Sequence, residues 1–352
     1  MAAPTSTRLA PREHCRLMRY AKLIFLMFGI ALLALVLSQA NLDEIWQQVR
    51  SISIVGILVV FVIYALYFGA DAMSWQVTID SVEMTARWAG RLFIVRMIGE
   101  AYNNITPMAS VGGEPVKAWL LKTNYGIPLR DSGASLVLAK TASMFSLVIF
   151  VSIAVVIALT HERLNATHRL AAGIGLGWLV FNVAAFFLMQ HLKLSTFAAT
   201  RLGRTRFGQR LGRLISGMQG IDDQFARFYR DRRTHLWLSM SFAMLNWLLG
   251  ATDMYIILNL VGHPVSWLEA WVIEATVQMI RIAAFFIPAG LGAQEGALML
   301  ACGAITGSSS LGLAVALVRR FRELIWIGMS LLLATAFHVN PKLAMEAAAS
   351  SD

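Results

Sequence analysis

Charge is what this sequence has least of. Only 14% of its 352 residues are charged, against about 25% in a soluble domain whose surface must face water. With 57% hydrophobic residues and a mean hydropathy of +0.63, much of the surface must face another solvent. Cysteine is equally scarce. Cys15 and Cys302 lie far apart, which argues against a disulfide framework or a cysteine metal site. Gly173, Gly175 and Gly177 lack the Lys-Ser/Thr of a phosphate loop, and His161 and His168 have no convergent acids or cysteines. No Ser/His/Asp arrangement can be assembled. The expectation is a protein that is not an enzyme and that needs no cofactor or metal.

What is present is apolar sequence in long runs, at roughly 23–40, 54–79, 133–159, 170–190, 236–261 and 311–337. Crossing a bilayer core takes about 20 apolar residues. Backbone polar groups in lipid must be satisfied within the segment, so these runs are helices. The fold class is all-α, a polytopic integral membrane protein. A basic start, an apolar stretch and Ser38-Gln39-Ala40 imitate a cleavable signal. The further apolar runs favour a retained signal-anchor helix.

The net charge of +10 does not imply nucleic acid, because the cations gather beside the apolar runs. Arg8, Arg12, Arg16, Arg19 and Lys22 precede the first run. Arg201, Arg204, Arg206, Arg210 and Arg213 belong to a basic loop at 191–235. Cytoplasmic loops carry such an excess, and such a loop can also touch anionic lipid headgroups. Both termini and this loop are therefore expected in the cytoplasm, and 160–169 outside. Arg87, Arg91 and Arg96 are read as one more cytoplasmic basic set.

Two segments fit no span. Residues 91–121 carry Glu100, Asn103, Asn104, Pro107 and Glu114 in 31 residues, too few for two crossings. One crossing would put the basic loop outside, so a re-entrant hairpin is expected. Residues 268–306 repeat the pattern with Glu274, Gln278, Arg281, Pro288 and Glu295, as a hairpin or two short spans.

Aligned on their prolines, the two segments match. Pro107-Met-Ala-Ser-Val-Gly-Gly113-Glu114 and Pro288-Ala-Gly-Leu-Gly292-Ala-Gln-Glu295 each place a glutamate seven positions after proline. Lys140 follows Glu114 by 26 residues, and Arg320 follows Glu295 by 25. Broken helices at matching positions of inverted halves mark transporters whose site lies between the halves. A single membrane domain is expected, with repeats at about 20–160 and 165–340.

Charges at membrane depth cost at least ~2.5–3.5 kcal/mol on insertion scales, so each needs a partner, water or an interfacial position. Glu114 and Glu295 fit either of two roles, helix-start carboxylates near the interface or groups facing a polar cavity with Lys140 and Arg320. Arg319, Arg320, Arg322 and Glu323 interrupt the last apolar run, and Arg319 and Glu323 can pair at i,i+4. Glu274, Gln278 and Arg281 share one helix face, as do Asn246 and Asp253. Together they suggest a hydrated or headgroup-sized cavity.

The Pro107 to Lys117 stretch (Gly113-Glu114-Pro-Val-Lys117) and Pro288 to Gly296 resemble the flippase-like family related to the transmembrane region of lysylphosphatidylglycerol synthases. Val277-Gln278-Met-Ile-Arg281 and Val318-Arg319-Arg320-Phe-Arg322-Glu323 look most like its bacterial HpnL branch. Lys117 and Lys140 stand where that family often has arginine. The resemblance implies transbilayer movement of a lipid, and the branch implies a hopanoid or related cargo in a bacterial inner membrane. The soluble aminoacyl-transferase domain of the synthases is absent, so synthase chemistry is not implied. The alternative is a non-transporting scaffold for lipid-synthesising enzymes, docked through the basic loop.

Overall fold

The computed structural model describes residues 52–105, 113–160, 233–284, 287 and 290–337, with four isolated positions at 27, 38, 50 and 177. Among these residues the regular structure is α-helical throughout, without strands, in an all-α membrane fold. The expected runs 23–40 and 170–190, Pro107, Pro288, and nearly all of the 191–235 loop lie outside the described residues.

Among the described residues eight helices follow, in two sets of four. The first set is α1 (Ile54–Gln76), α2 (Ala86–Ile105), α3 (Gly113–Tyr125) and α4 (Leu129–Thr160). The second is α5 (Arg233–Leu260), α6 (Trp267–Ala283), α7 (Ala293–Thr306) and α8 (Ser309–Ala336). α1, α4 and α5 are long and apolar enough to cross a membrane. α8 has the length, but its arginines break the apolar character. α3 and α7, with 13 and 14 residues, rise only about 20 Å and are too short to span.

Local sequence sets the ends. Ser53 caps α1 by accepting from the Gly56 N–H, and Ser308 caps α8 by accepting from the Leu311 N–H. Ser266 and Glu269 form a reciprocal capping box at the start of α6. Gly307, left-handed at φ 79°, ends α7, a conformation glycine takes without Cβ strain. Ile54, Val62 and Leu66 on α1, Val156 on α4 and Leu332 on α8 remain exposed. Outward-facing apolar side chains on long helices are what lipid, rather than water, solvates.

Lipid tails are as apolar as leucine, so helix association here rests on close packing and interhelical hydrogen bonds. Buried Ala154, Ala251, Ala270, Ala297 and Ala314 admit that approach. Between α1 and α5, Ser74 and Ser239 each donate to the other's backbone carbonyl at 2.9 Å, and Asn246 Nδ2 donates to the Tyr67 carbonyl at 2.8 Å. Such bonds contribute about 0.6 to 2 kcal/mol each.

The pairings fix a direction. Ser74 meets Ser239, Tyr67 meets Asn246, and Gly56 lies against Leu260, so α1 and α5 run antiparallel. The leading helices of the two sets are thus opposed, as inverted halves require. Other pairs follow the same exchange: α2 packs on α3 as α6 packs on α7, and α2 packs on α8 as α6 packs on α4, whereas the close α4–α5 packing has no matching α8–α1 contact of similar extent. Lys140 and Arg320 are each the twelfth residue of their helix.

Candidate functional site

A cavity opens where the two sets of helices meet. Its wall is built by α1 and α2 from the first set and by α5 to α8 from the second. Six side chains give it its character: Arg96 and Glu100 from α2, Glu274 and Arg281 from α6, and Arg320 and Glu323 from α8.

On α8 three arginines in four positions face different ways. Arg319, 5% exposed, donates to Glu274 Oε2 at 2.5 Å and lies 3.6 Å from Asp253 Oδ2. Arg322, 4% exposed, donates to Asp253 Oδ1 at 2.5 Å and stacks on the Tyr64 ring at 3.7 Å. Asp253 of α5 therefore holds two guanidinium groups at once. Arg320 donates to Glu295 Oε1 at 2.7 Å and to Glu323 Oε2 at 3.0 Å. Each buried charge is answered by an opposite one, the condition under which such groups are tolerated at depth.

The expected pairing of Arg319 with Glu323 is corrected. Glu323 instead pairs with Arg320 at i,i+3, because α6 brings Glu274 to Arg319. The face shared by Glu274, Gln278 and Arg281 does line the cavity, and Gln278 Nε2 donates to Glu274 Oε1 at 2.7 Å. Asp253 lines it too, whereas its face partner Asn246 is bound into the α1–α5 seam.

Glu295 stands at a helix start and also meets Arg320. Its Oε2 accepts from the Gly292 N–H at 2.8 Å in the first turn of α7, while its Oε1 accepts from Arg320. Gly290 and Gly292 hold positive φ of 60° and 77° just before it, which glycine permits.

The first half departs from this pattern. Glu114 accepts from Lys117 Nζ at 2.8 Å, within its own helix, and not from Lys140. Lys140 has no carboxylate within 4 Å among the described residues and does not line the cavity. The expected Glu114–Lys140 pair is thereby corrected. Lys117 is 1% exposed, and its alkyl chain crosses Gly99 of α2, where any Cβ would collide with it. Gly113 sits against the Gly99 carbonyl in the same crossing. Asn103 Oδ1 accepts from the Gly113 N–H at 2.7 Å, which ties the start of α3 to the last turns of α2. Asn104 lines the cavity with its Nδ2 bound to the Glu100 carbonyl at 3.0 Å.

Sequence reasoning missed Arg96, which was placed in a cytoplasmic basic set. It lies on α2, pairs with Asp71 of α1 and lines the cavity. Asp71 in an apolar span was the available signal, since an acid at that depth needs a partner. Tyr64, Tyr67, Phe68 and Trp326 form an aromatic wall of the same cavity. Nothing in their spacing set them apart from ordinary core aromatics. Among the described residues there is no cluster of three metal-ligating side chains.

The model of the lysylphosphatidylglycerol synthase TM region matches residues 21–331. A UPF0104 membrane protein from Methanothermobacter thermautotrophicus (strain Delta H) is 24% identical over 316 residues, covering 86% of this chain and 91% of that protein. No solved structure matches the chain.

Proposed function

The chain belongs to the lysylphosphatidylglycerol synthase TM-region family, and from that premise we propose that it moves a membrane lipid from one leaflet to the other. The observation that carries the proposal is the polar cavity at the seam of two oppositely running sets of helices, walled by arginines and carboxylates within an apolar exterior. A headgroup crossing a bilayer must exchange water for fixed polar groups, and a seam between inverted halves can open to either side in turn. The outward apolar faces leave the acyl chains in lipid. No catalytic role is assigned to any side chain, and the cavity is a transport site in this reading.

The resemblance of the 277–281, 286–296 and 318–323 stretches to the HpnL branch makes a hopanoid or related lipid one cargo to test, in a bacterial inner membrane with both termini cytoplasmic. The second reading, a scaffold for lipid-synthesising enzymes, draws on the basic 191–235 loop. Reconstitution into vesicles with fluorescent lipids, scored for leaflet exchange, tests the first directly. Exchange above that of protein-free vesicles is expected. No exchange of any candidate lipid, together with partner loss when Arg204, Arg206, Arg210 and Arg213 are neutralised, would transfer the conclusion to the scaffold.

A further inference from the structure

Five arginines line the seam cavity, and four of them are matched: Arg96 by Asp71, Arg319 by Glu274 and Asp253, Arg322 by Asp253, and Arg320 by Glu295 and Glu323. Arg281 is the exception. It lines the cavity, its side chain is exposed, and no carboxylate lies within 4 Å of it among the described residues. One cavity carboxylate is the converse case. Glu100 has no cation within 4 Å among the described residues, and its carboxylate takes a bond from Asn103 Nδ2 at a long 3.4 Å.

These two residues occupy corresponding places. Glu100 stands seven positions before Pro107, and Arg281 stands seven before Pro288. Each lies near the end of its helix, on the equivalent helices α2 and α6, and both face one cavity from opposite halves. The helix dipole would account for a cation in the last turn of α6. It offers nothing to a carboxylate toward the same end of α2.

Resting on the lipid-transport reading, we infer that the cavity recognises a zwitterionic headgroup, a phosphate ester carrying an ammonium group, with Arg281 receiving the phosphate and Glu100 the ammonium. A guanidinium fork matches phosphate oxygens, and a carboxylate accepts charge-assisted bonds from an ammonium. The charge balance excludes a simple anion trap. With Asp71 and Glu295 counted beside Glu100, Asp253, Glu274 and Glu323, six carboxylates face five arginines. An anion would gain no net attraction there, whereas a zwitterion brings no net charge and finds an open partner for each end. Its polar groups replace water on both residues without disturbing the matched pairs. The uncharged polar head of a hopanol would leave Arg281 and Glu100 both unanswered.

The test is native mass spectrometry of the detergent-purified full chain titrated with phosphatidylethanolamine, phosphatidylglycerol and glycerophosphoethanolamine. Phosphatidylethanolamine should bind about tenfold tighter than phosphatidylglycerol, the ratio one charge-assisted contact supports. Glycerophosphoethanolamine, the same headgroup without acyl chains, should bind far more weakly. Glu100→Gln should erase the preference while keeping phosphatidylglycerol bound, Arg281→Gln should weaken both lipids, and Arg281→Lys should recover part of the loss. Equal binding of the two lipids by the unmodified chain, or an unchanged preference in Glu100→Gln, overturns the inference. Equal binding of the acyl-free headgroup overturns its assignment to lipid. Selective binding without leaflet exchange in vesicles would uphold the headgroup and remove transport. Exchange without headgroup preference would do the reverse.

Discussion

Arg320 and Glu295, 25 residues apart in the chain, meet at 2.7 Å between α8 and the first turn of α7. Glu295 also accepts from the Gly292 N–H, so one carboxylate joins a helix start to the cavity wall. Glu295→Gln keeps an oxygen for that amide, and Arg320 keeps Glu323 at 3.0 Å. The folded protein should lose only about 1 kcal/mol, while lipid exchange falls about tenfold as Arg320 in the cavity wall loses one of its two charged partners. Thermal unfolding in detergent and vesicle exchange, measured on one preparation, separate the two effects. Normal exchange in the variant would reduce Glu295 to a helix-end residue.

Glu114 should behave differently, because its partner is the buried one. Lys117 is 1% exposed, while the Glu114 side chain is 35% exposed. Glu114→Gln strands an ammonium beside Gly99. Breaking a fully buried pair costs about 3–5 kcal/mol, and the partial exposure of Glu114 lowers that figure. Lys117→Met, which removes the charge and keeps the length, should be neutral or stabilising, and it should rescue Glu114→Gln in the double variant. A double variant as unstable as Glu114→Gln alone would show that the pair is not the reason.

Much of this arrangement was legible in the sequence, and the reasons differ by level. Long apolar runs fixed α1, α4, α5 and α8 to within a few residues, since bilayer thickness imposes a length that composition reveals. Of the two roles read for Glu114 and Glu295, the helix start is where the structure places both, in the first turns of α3 and α7. Pair partners were not legible. Arg319 chose Glu274 over Glu323, and Glu114 chose Lys117 over Lys140, because partner choice depends on which helix lies opposite. Arg96 looked like a topological cation until α1 placed Asp71 beside it.

Asp253 accepts from Arg322 and lies 3.6 Å from Arg319, and all three are at most 5% exposed. Asp253→Asn leaves Arg322 without a carboxylate and Arg319 with Glu274 alone. A loss of ~3–5 kcal/mol is expected, visible as a lowered Tm and reduced yield. Adding Arg322→Met removes the cation that lost its own acceptor and should restore most of the loss. An Asp253→Asn variant with unchanged Tm would contradict the ion-pair account of this wall.

Gly99 and Gly113 let α2 and α3 cross at backbone contact, with Lys117 pressed over Gly99. Gly113→Ala places a methyl group against a carbonyl that cannot yield as a side chain can. A cost of at least ~1–3 kcal/mol is expected from overpacking, seen as a lower Tm. Gly133→Ala in α4, where a Cβ meets nothing within 4 Å, is the matched control and should gain the ~1 kcal/mol by which alanine exceeds glycine in a helix. Equal effects at the two sites would show that the crossing is looser than drawn.

An orientation is expected from charge placement and can be checked without reference to cargo. Arginines crowd residues 201–213, while 160–169 holds only Arg163 and Arg169 among its cations, beside Glu162. Retention of basic loops in the cytoplasm predicts Gly208 inside and Thr167 outside. The antiparallel run of α1 and α5 demands an odd number of crossings between equivalent points of the two halves, which this placement supplies. In a Cys15→Ser, Cys302→Ala background, a single cysteine at Thr167 should react with an impermeant maleimide added to intact cells. A cysteine at Gly208 should react only after permeabilisation. Cys302 is buried in α7, so alanine there removes a thiol without exposing a polar group. Labelling at Gly208 but not at Thr167 would invert the orientation, and the side from which a lipid enters the cavity would be reassigned with it.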